Sequence, residues 1–448
     1  MKTQVNRRAF LKQTRNASVG IGATLALPNI FLNETKAATG ENPSDLARIG
    51  FIAVGNRGMQ NMGFFLKKKM VAAICDVDKN IIAKAQTAIV KAQGKPVTAY
   101  GDYRKLLEDK SLDGVVISTP DHWHAMQAVD ACQAGKDVYC EKPLTLFIEE
   151  GKTLVKIARK TNRIVQTGSM QRSMKTYRTA IEMLRLGKIG KVHTIKVGLP
   201  KVNWDPKLDN TPDSAPPPEL DYNMWLGPAP DRPYNKSRVH YYFRFFWDYS
   251  GGQMTNWGAH HLDIAQWGLE MDNTGPVEIE GKAEYDPQKR FEVFTWSSIQ
   301  YKYANGVKID LNQGAKADQP ATKSKSEITG TVFIGDKGII HVNRPFVRTC
   351  DTQKMEDLDD IPAMPDDQLK HIYVSLDHYQ NWLDCIKSRK LPICDVAIGH
   401  RSATVCHLGN IAARLGRKIK WDPEKEEMMN DAEAAKLTGK VYRPPWKL

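Results

Sequence analysis

The first place where this 448-residue sequence could do chemistry is a set of glycines and a carboxylate at fixed spacing. Ala53-Val54-Gly55-Asn56-Arg57-Gly58 follows one short apolar run, and Asp76 ends the next. Gly55 lets backbone approach a pyrophosphate, and Gly58 lets a helix pack on its strand. The N-terminus of that helix offers free N–H groups to phosphates, which makes Gly55, Asn56, Arg57 and Gly58 cofactor-binding candidates. A carboxylate at Asp76 can accept both ribose hydroxyls of adenosine and repels a 2′-phosphate, so NAD is expected in preference to NADP. Glycines also occur at such corners for steric reasons alone; the register of motif, strand, helix and acid carries the cofactor reading.

Three further groups stand out. Cys140-Glu141-Lys142-Pro143 follows an apolar run, and at the carboxyl end of a parallel strand Lys142 would project toward the cofactor crevice. Asn256, His260 and Asp263 fall on one helical face, where His260 can be a proton-transfer residue or a satisfied core histidine. Residues 241–249 hold seven aromatics around Arg244 and Asp248. They read either as a core anchor or as a sugar platform, with rings against C–H faces and Arg and Asp on hydroxyls.

The elements that must position these groups alternate. Strands are expected over 49–54, 71–75, 114–118, 138–140 and 164–167, and helices over 79–92, 124–134 and 149–159. Strands apolar throughout and separated by helices make a parallel sheet covered on both faces. Residues 200–235, rich in Pro, Asp and Asn, read as loop. Later strands over 293–301, 307–311, 331–334 and 339–342 fit an antiparallel sheet, with helices over 373–386 and 397–413. Domains are expected at 45–168 and 169–420. A polar tail, 421–448, would wrap back on the body or reach a partner subunit.

The net charge of +13 suggests nucleic acid, but residues 1–40 hold six Lys/Arg against one acid, and the rest is close to balanced. No basic stripe with interleaved aromatics appears, which argues against nucleic-acid binding. Seven cysteines include no C-x-x-C and no zinc spacing. No metal is expected, and structural, reduced cysteines are favoured over a late disulfide. Residues 1–40 carry Arg7-Arg8-Ala9-Phe10-Leu11-Lys12, an apolar stretch and small residues, a pattern that resembles a twin-arginine signal. A periplasmic, exported protein that does not span the membrane is expected.

Asp121-His122-Trp123-His124, Ala134-Gly135-Lys136-Asp137-Val138 and Cys140-Glu141-Lys142-Pro143-Leu144, with Gly251-Gly252 and Trp257-Gly258-Ala259-His260-His261-Leu262-Asp263, together resemble the glucose-fructose oxidoreductase / inositol dehydrogenase family (Gfo/Idh/MocA) over residues 45–420. The resemblance implies an α/β protein with an N-terminal Rossmann parallel sheet and a C-terminal α/β domain built on a large, mostly antiparallel sheet. It also implies a nicotinamide cofactor, a sugar or glycoside substrate between the domains and a homo-oligomer. Carried over, Lys142 contacts substrate and cofactor and His260 transfers the proton. His124 and Glu141 lie at the cofactor, and Arg172, Arg244, Asn256 and His261 at the substrate. The family's pattern places Asp where this chain has Asn256. Asn cannot raise imidazole basicity by charge, so Lys142 could share the role of base and Asp263 could orient the ring.

The leading expectation is an NAD-dependent dehydrogenase that oxidises a hydroxyl, at C3, to a ketosugar. A redox-neutral glycosidase, in which transient oxidation acidifies the adjacent C–H and the aglycone is eliminated, is the alternative; the E-K-P lysine favours the dehydrogenase. An exported sugar-binding protein without turnover has only Asn256 in its support.

Overall fold

The computed structural model describes residues 46–314 and 329–448. The signal-like segment, residues 1–40, lies outside them. The first sheet is built from short runs that, apart from the edge strand at Thr98–Tyr100, are buried on both faces. It comprises β1 (Ile49–Ile52), β2 (Val71–Cys75), β3 (Thr98–Tyr100), β4 (Gly114–Ile117), β5 (Asp137–Cys140) and β6 (Val165–Thr167). All pairs are parallel, in the order β3-β2-β1-β4-β5-β6. Helices α1 (Asn56–Lys67), α2 (Lys79–Gln93), α3 (Tyr103–Leu107), α4 (Asp121–Gln133) and α5 (Ile148–Lys160) connect the strands. The strand order reverses between β1 and β4, where a doubly wound sheet opens its ligand crevice. β2 lies where the apolar run placed it. The β3 edge strand was not expected, because it is three residues long and Thr98 and Ala99 are exposed.

The second sheet has ten strands. They are β7 (Val192–Leu199), β8 (Glu278–Tyr285), β9 (Phe294–Lys302), β10 (Lys308–Gln313), β11 (Gly330–Gly335), β12 (Gly338–Asn343), β13 (Phe346–Cys350), β14 (Asp359–Asp360), β15 (Ile419–Asp422) and β16 (Glu427–Met428). Their order is β14-β13-β12-β11-β7-β10-β9-β8-β15-β16, antiparallel except for the β7–β10 pair. Helices α6 (Lys175–Arg185), α7 (Tyr222–Leu226), α8 (Gly252–Asn256), α9 (Gly258–Gly268), α10 (His378–Ser388) and α11 (Val396–Leu415) complete the parts used below. α9 is buried along its whole length. Leu262 and Ala265 of α9, with Val405 and Leu408 of α11, share one core with Ile195, Ile299 and Phe333 of the sheet.

Two expectations change. The helix expected over 373–386 starts at His378, because the Asp377 carboxylate accepts from Tyr379 N and Gln380 N and so fixes its first turn. The boundary expected at residue 421 falls inside β15, which pairs with β8 and so continues the large sheet. The residues beyond it fold back on the body: Tyr442 Oη donates to Glu150 Oε1 at 3.0 Å and the Trp446 ring meets Trp123 edge-on at 4.8 Å. All seven cysteines are free. No helix among the described residues is long and apolar enough to cross a membrane.

Residues 200–249, between β7 and α8, leave the second sheet and cross to the first. Asp78 and Leu220 form a β-bridge; Lys79 N donates to Glu219 O at 3.1 Å and Asp221 N to Val77 O at 2.9 Å. This strap is pinned from behind by Arg443, whose guanidinium donates to Gly227 O, Asn223 O and Asn223 Oδ1, each at 2.9 Å.

Candidate active site

A cavity of about 640 Å³ opens at the carboxyl ends of β1, β2 and β4, a size suited to a small molecule or cofactor. One wall is the turn Gly55-Asn56-Arg57 with Asp76; the other is the strap, through Leu220, Trp225, Tyr241 and Arg244. Three features fit a dinucleotide. A Cβ on Gly58 would sit 2.0 Å from Ala53 O, so only glycine lets α1 start this close to β1. Gly55 caps α1 without a side chain, and the first amide to bond back is Met59 N to Gly55 O, leaving the preceding N–H groups open at the positive end of the helix. Asp76 accepts from Val54 N at 2.9 Å and Asp78 N at 3.1 Å, which fixes its carboxylate and leaves lone pairs for ribose hydroxyls.

Burial pushes the Asp76 carboxyl up to about 6, against the pull of those backbone amides. Ribose hydroxyls bond best to the ionised form. NAD affinity is therefore expected to fall as pH is lowered through about 6, and binding NAD should draw the Asp76 pKa down. Asp76→Ser should weaken NAD by roughly 10–100-fold and narrow its advantage over NADP, by loss of charge-assisted bonds worth about 1.5–3 kcal/mol each. Fluorescence titration with both cofactors at pH 5.5 and 7.5 checks both statements; an unchanged preference would place the ribose elsewhere.

Lys142 leaves the end of β5 half-buried. Its Nζ donates to Asn256 O at 2.8 Å and Asn256 Oδ1 at 3.0 Å. Burial lowers the Lys142 pKa to about 8, although Glu141 and Asp121 pull the other way. Asn256 thus takes two of the three N–H groups on Nζ; Lys142, Asn256 and His260 are not among the residues that line the cavity. His260, on α9, is buried, and burial followed by the charge of Lys142 holds its pKa well below the usual imidazole range. Both effects favour the neutral imidazole, and its Nδ1 has no hydrogen-bond partner among the described residues.

The structure directs several of the named residues elsewhere. Arg172, expected at the substrate, is buried under Trp267 and binds Asp263 and Asp272, at 2.7–3.1 Å for its carboxylate contacts. Asp263, taken by Arg172 and by Ser402 Oγ at 2.7 Å, does not orient His260. Asn256 holds Lys142, while its own amide donates to Gln253 Oε1 at 3.0 Å. His261 stacks on Trp257, and burial lowers its pKa to about 3. Glu141 Oε1 accepts from Arg57 Nε at 2.8 Å and from Asn61 Nδ2 at 3.0 Å, so it reaches the cofactor turn only through Arg57. His124 lies behind the cavity wall, its ring nitrogens against Thr119 O (2.9 Å) and Pro143 O (2.7 Å), and ties the wall residue Thr119 to the segment that carries Lys142. The aromatic segment divides: Phe245, Phe246 and Tyr249 are core with Trp225 and Phe291, while Tyr241, Phe243 and Arg244 face the cavity. Leu220, Met224 and Trp225, also on the cavity wall, carried no expectation; a loop's composition does not say where it docks.

Two family models match the chain. An oxidoreductase-family NAD-binding Rossmann fold covers residues 47–169, and an oxidoreductase-family C-terminal alpha/beta domain covers residues 186–448. The chain is 30% identical over 226 residues to the alpha-N-acetylgalactosaminidase of Shewanella oneidensis, over 46% of this chain and 48% of that one. It spans about half the length of the curated relatives it matches. Among solved structures, it resembles the WlbA dehydrogenase of Bordetella pertussis in complex with NADH and UDP-GlcNAcA (TM-score 0.61, 17% identity, 84% of this chain and 99% of that one). It also resembles a levoglucosan dehydrogenase in complex with NADH and levoglucosan (TM-score 0.61, 15% identity, 84% and 99%). At these identities the likeness is one of fold.

Proposed function

Because this chain belongs to the Gfo/Idh/MocA oxidoreductase family and carries its NAD-binding domain, we propose that it oxidises a hydroxyl of a sugar or glycoside, at C3, to a ketosugar. The observation that carries this reading is Lys142 Nζ, held by Asn256 at the carboxyl end of β5 with one N–H outside those two bonds, its charge acting on a His260 that favours the neutral form. Bound nicotinamide supplies the hydride acceptor. The Lys142 ammonium lowers the pKa of the reacting hydroxyl and holds the developing alkoxide, and His260 takes the proton. A sugar hydroxyl carries both the proton and the hydride that this arrangement handles. The signal-like Arg7-Arg8 segment supports export to the periplasm in folded form, with NAD carried along.

Since the ammonium form acts, the rate of hydride transfer should fall as pH rises through about 8, where Lys142 loses its proton. It should stay level below that pH until His260, depressed by burial, begins to protonate. A rate that rises through pH 8 would instead make the neutral Lys142 amine the base.

A second reading is favoured by the relative named as an alpha-N-acetylgalactosaminidase. A C3 ketone acidifies the C2 proton and prepares loss of the C1 substituent, so the same site could open a glycosidic bond with no net oxidation. Incubation with aryl glycosides separates the two: NADH with a ketosugar that has lost two hydrogens marks the dehydrogenase, and free aglycone without NADH marks the glycosidase. Neither product from a panel of hexosides would overturn both.

A further inference from the structure

Three arginines lie in the strap. Arg232 pairs with Asp248 and Glu292, and Arg238 pairs with Asp213. Arg244 has no carboxylate within ion-pair distance among the described residues. Its guanidinium lies 4.0 Å from the Tyr241 ring centroid and 5.1 Å from that of Phe243, and donates to Tyr241 O. One N–H is thereby used, and Arg244 is among the residues that line the cavity. Asp121 is the carboxylate that acts on it electrostatically; its Oδ2 already accepts from Ser250 Oγ at 2.5 Å, and both Asp121 and Arg244 also act on Lys142.

An unpaired guanidinium in a partly closed cavity is costly unless an anion joins it. The same cavity is lined by the open N-terminus of α1 beside Arg57, whose own charge is matched by Glu141. The acids on the wall, Asp76 and Asp78, lie at the end of β2 and accept backbone amides, at Val54 and Asp78 and at Asn80 and Ile81. Arg244 and the turn that opens α1 line one cavity, and both suit a ligand with a compact negative charge. In NAD that part is the pyrophosphate.

We propose that Arg244 grips the cofactor pyrophosphate from the strap, so that the docked strap and the glycine turn of α1 hold the cofactor together. The proposal rests on the NAD-binding domain and not on the choice of sugar. Arg244 is therefore a positioning residue for the cofactor, and the aromatic rings of Tyr241 and Phe243 hold its planar fork in place.

The test uses the full chain with NAD, ADP-ribose and adenosine, their affinities read by calorimetry without any sugar. Arg244→Met is expected to weaken NAD and ADP-ribose by roughly 10–100-fold, as loss of a charge-assisted contact does. Adenosine, which has no phosphate, should bind the variant within about twofold of the parent, and Arg244→Lys should recover part of the loss, since a point charge still binds phosphate. Equal weakening of adenosine would reduce Arg244 to a structural support of the strap. Unchanged ADP-ribose affinity would overturn the proposal. Because no turnover is measured, failure here is distinct from failure of the sugar reading.

Discussion

Lys142→Met should lower hydride transfer by roughly 10²–10³-fold, the effect of removing a donor aimed at a developing oxyanion, while NAD still binds. Methionine keeps the length and the apolar stem but deletes the charge and every N–H. The two bonds from Nζ to Asn256 are lost with it, so Asn256 should be checked separately. Asn256→Ala leaves the ammonium but frees it to wander; a smaller loss in kcat with a changed pH limb near 8 is expected there. Pre-steady-state absorbance of NADH, followed with a glycoside and its 3-deoxy analogue, reads the chemical step directly. Near-normal turnover by the methionine variant would remove Lys142 from the mechanism, and oxidation of the 3-deoxy sugar would move the chemistry to another carbon.

Arg172→Met is expected to cost stability, about 3–5 kcal/mol, and little of the chemistry. Removing one partner of a buried ion pair leaves the other charge uncompensated. Asp263 is fully buried and Asp272 mostly so, and both depend on this guanidinium. Burial already raises the Asp263 pKa, with Arg172 opposing. Without Arg172 it rises further above the unfolded value. The destabilisation is then fully present above the folded pKa and is relieved as pH falls toward the unfolded one, because the neutral acid is cheaper to bury. Urea unfolding at pH 5 and pH 8 should therefore show a smaller deficit at the lower pH. A variant as stable as the parent but with a raised KM would restore Arg172 to the substrate.

The first sheet was legible in the sequence because its strands, β3 apart, are buried on both faces, so a continuous apolar run is what the environment demands. Gly58 and Asp76 were legible because their reasons are local: one contact across a turn, one carboxylate at a strand end. The partners of the charged residues were not. Glu141 and Arg57 are 84 positions apart, Arg172 and Asp263 are 91, and Lys142 and Asn256 are 114. Spacing on a helix tells which residues share a face, and so grouped Asn256, His260 and Asp263. It cannot tell that Asn256 would be taken by a strand-end lysine and Asp263 by an arginine from another element. Arg244 shows the same limit in reverse: its aromatic neighbours identified a ring-lined surface, while the fold of the strap decided that this surface lines the same cavity as the glycine turn.

The hold of Arg443 on Asn223 and Gly227 also sets an order of events during synthesis. Arg443 is made 220 residues after Asn223, so a growing chain can complete the parallel sheet and its glycine turn long before anything fastens the strap from behind. Until Arg443 and Trp446 have left the ribosome, the cavity has its floor but no latched cover. Dinucleotide captured early in translation would be free to leave again, and firm retention would begin only once that distant stretch has docked against Trp123.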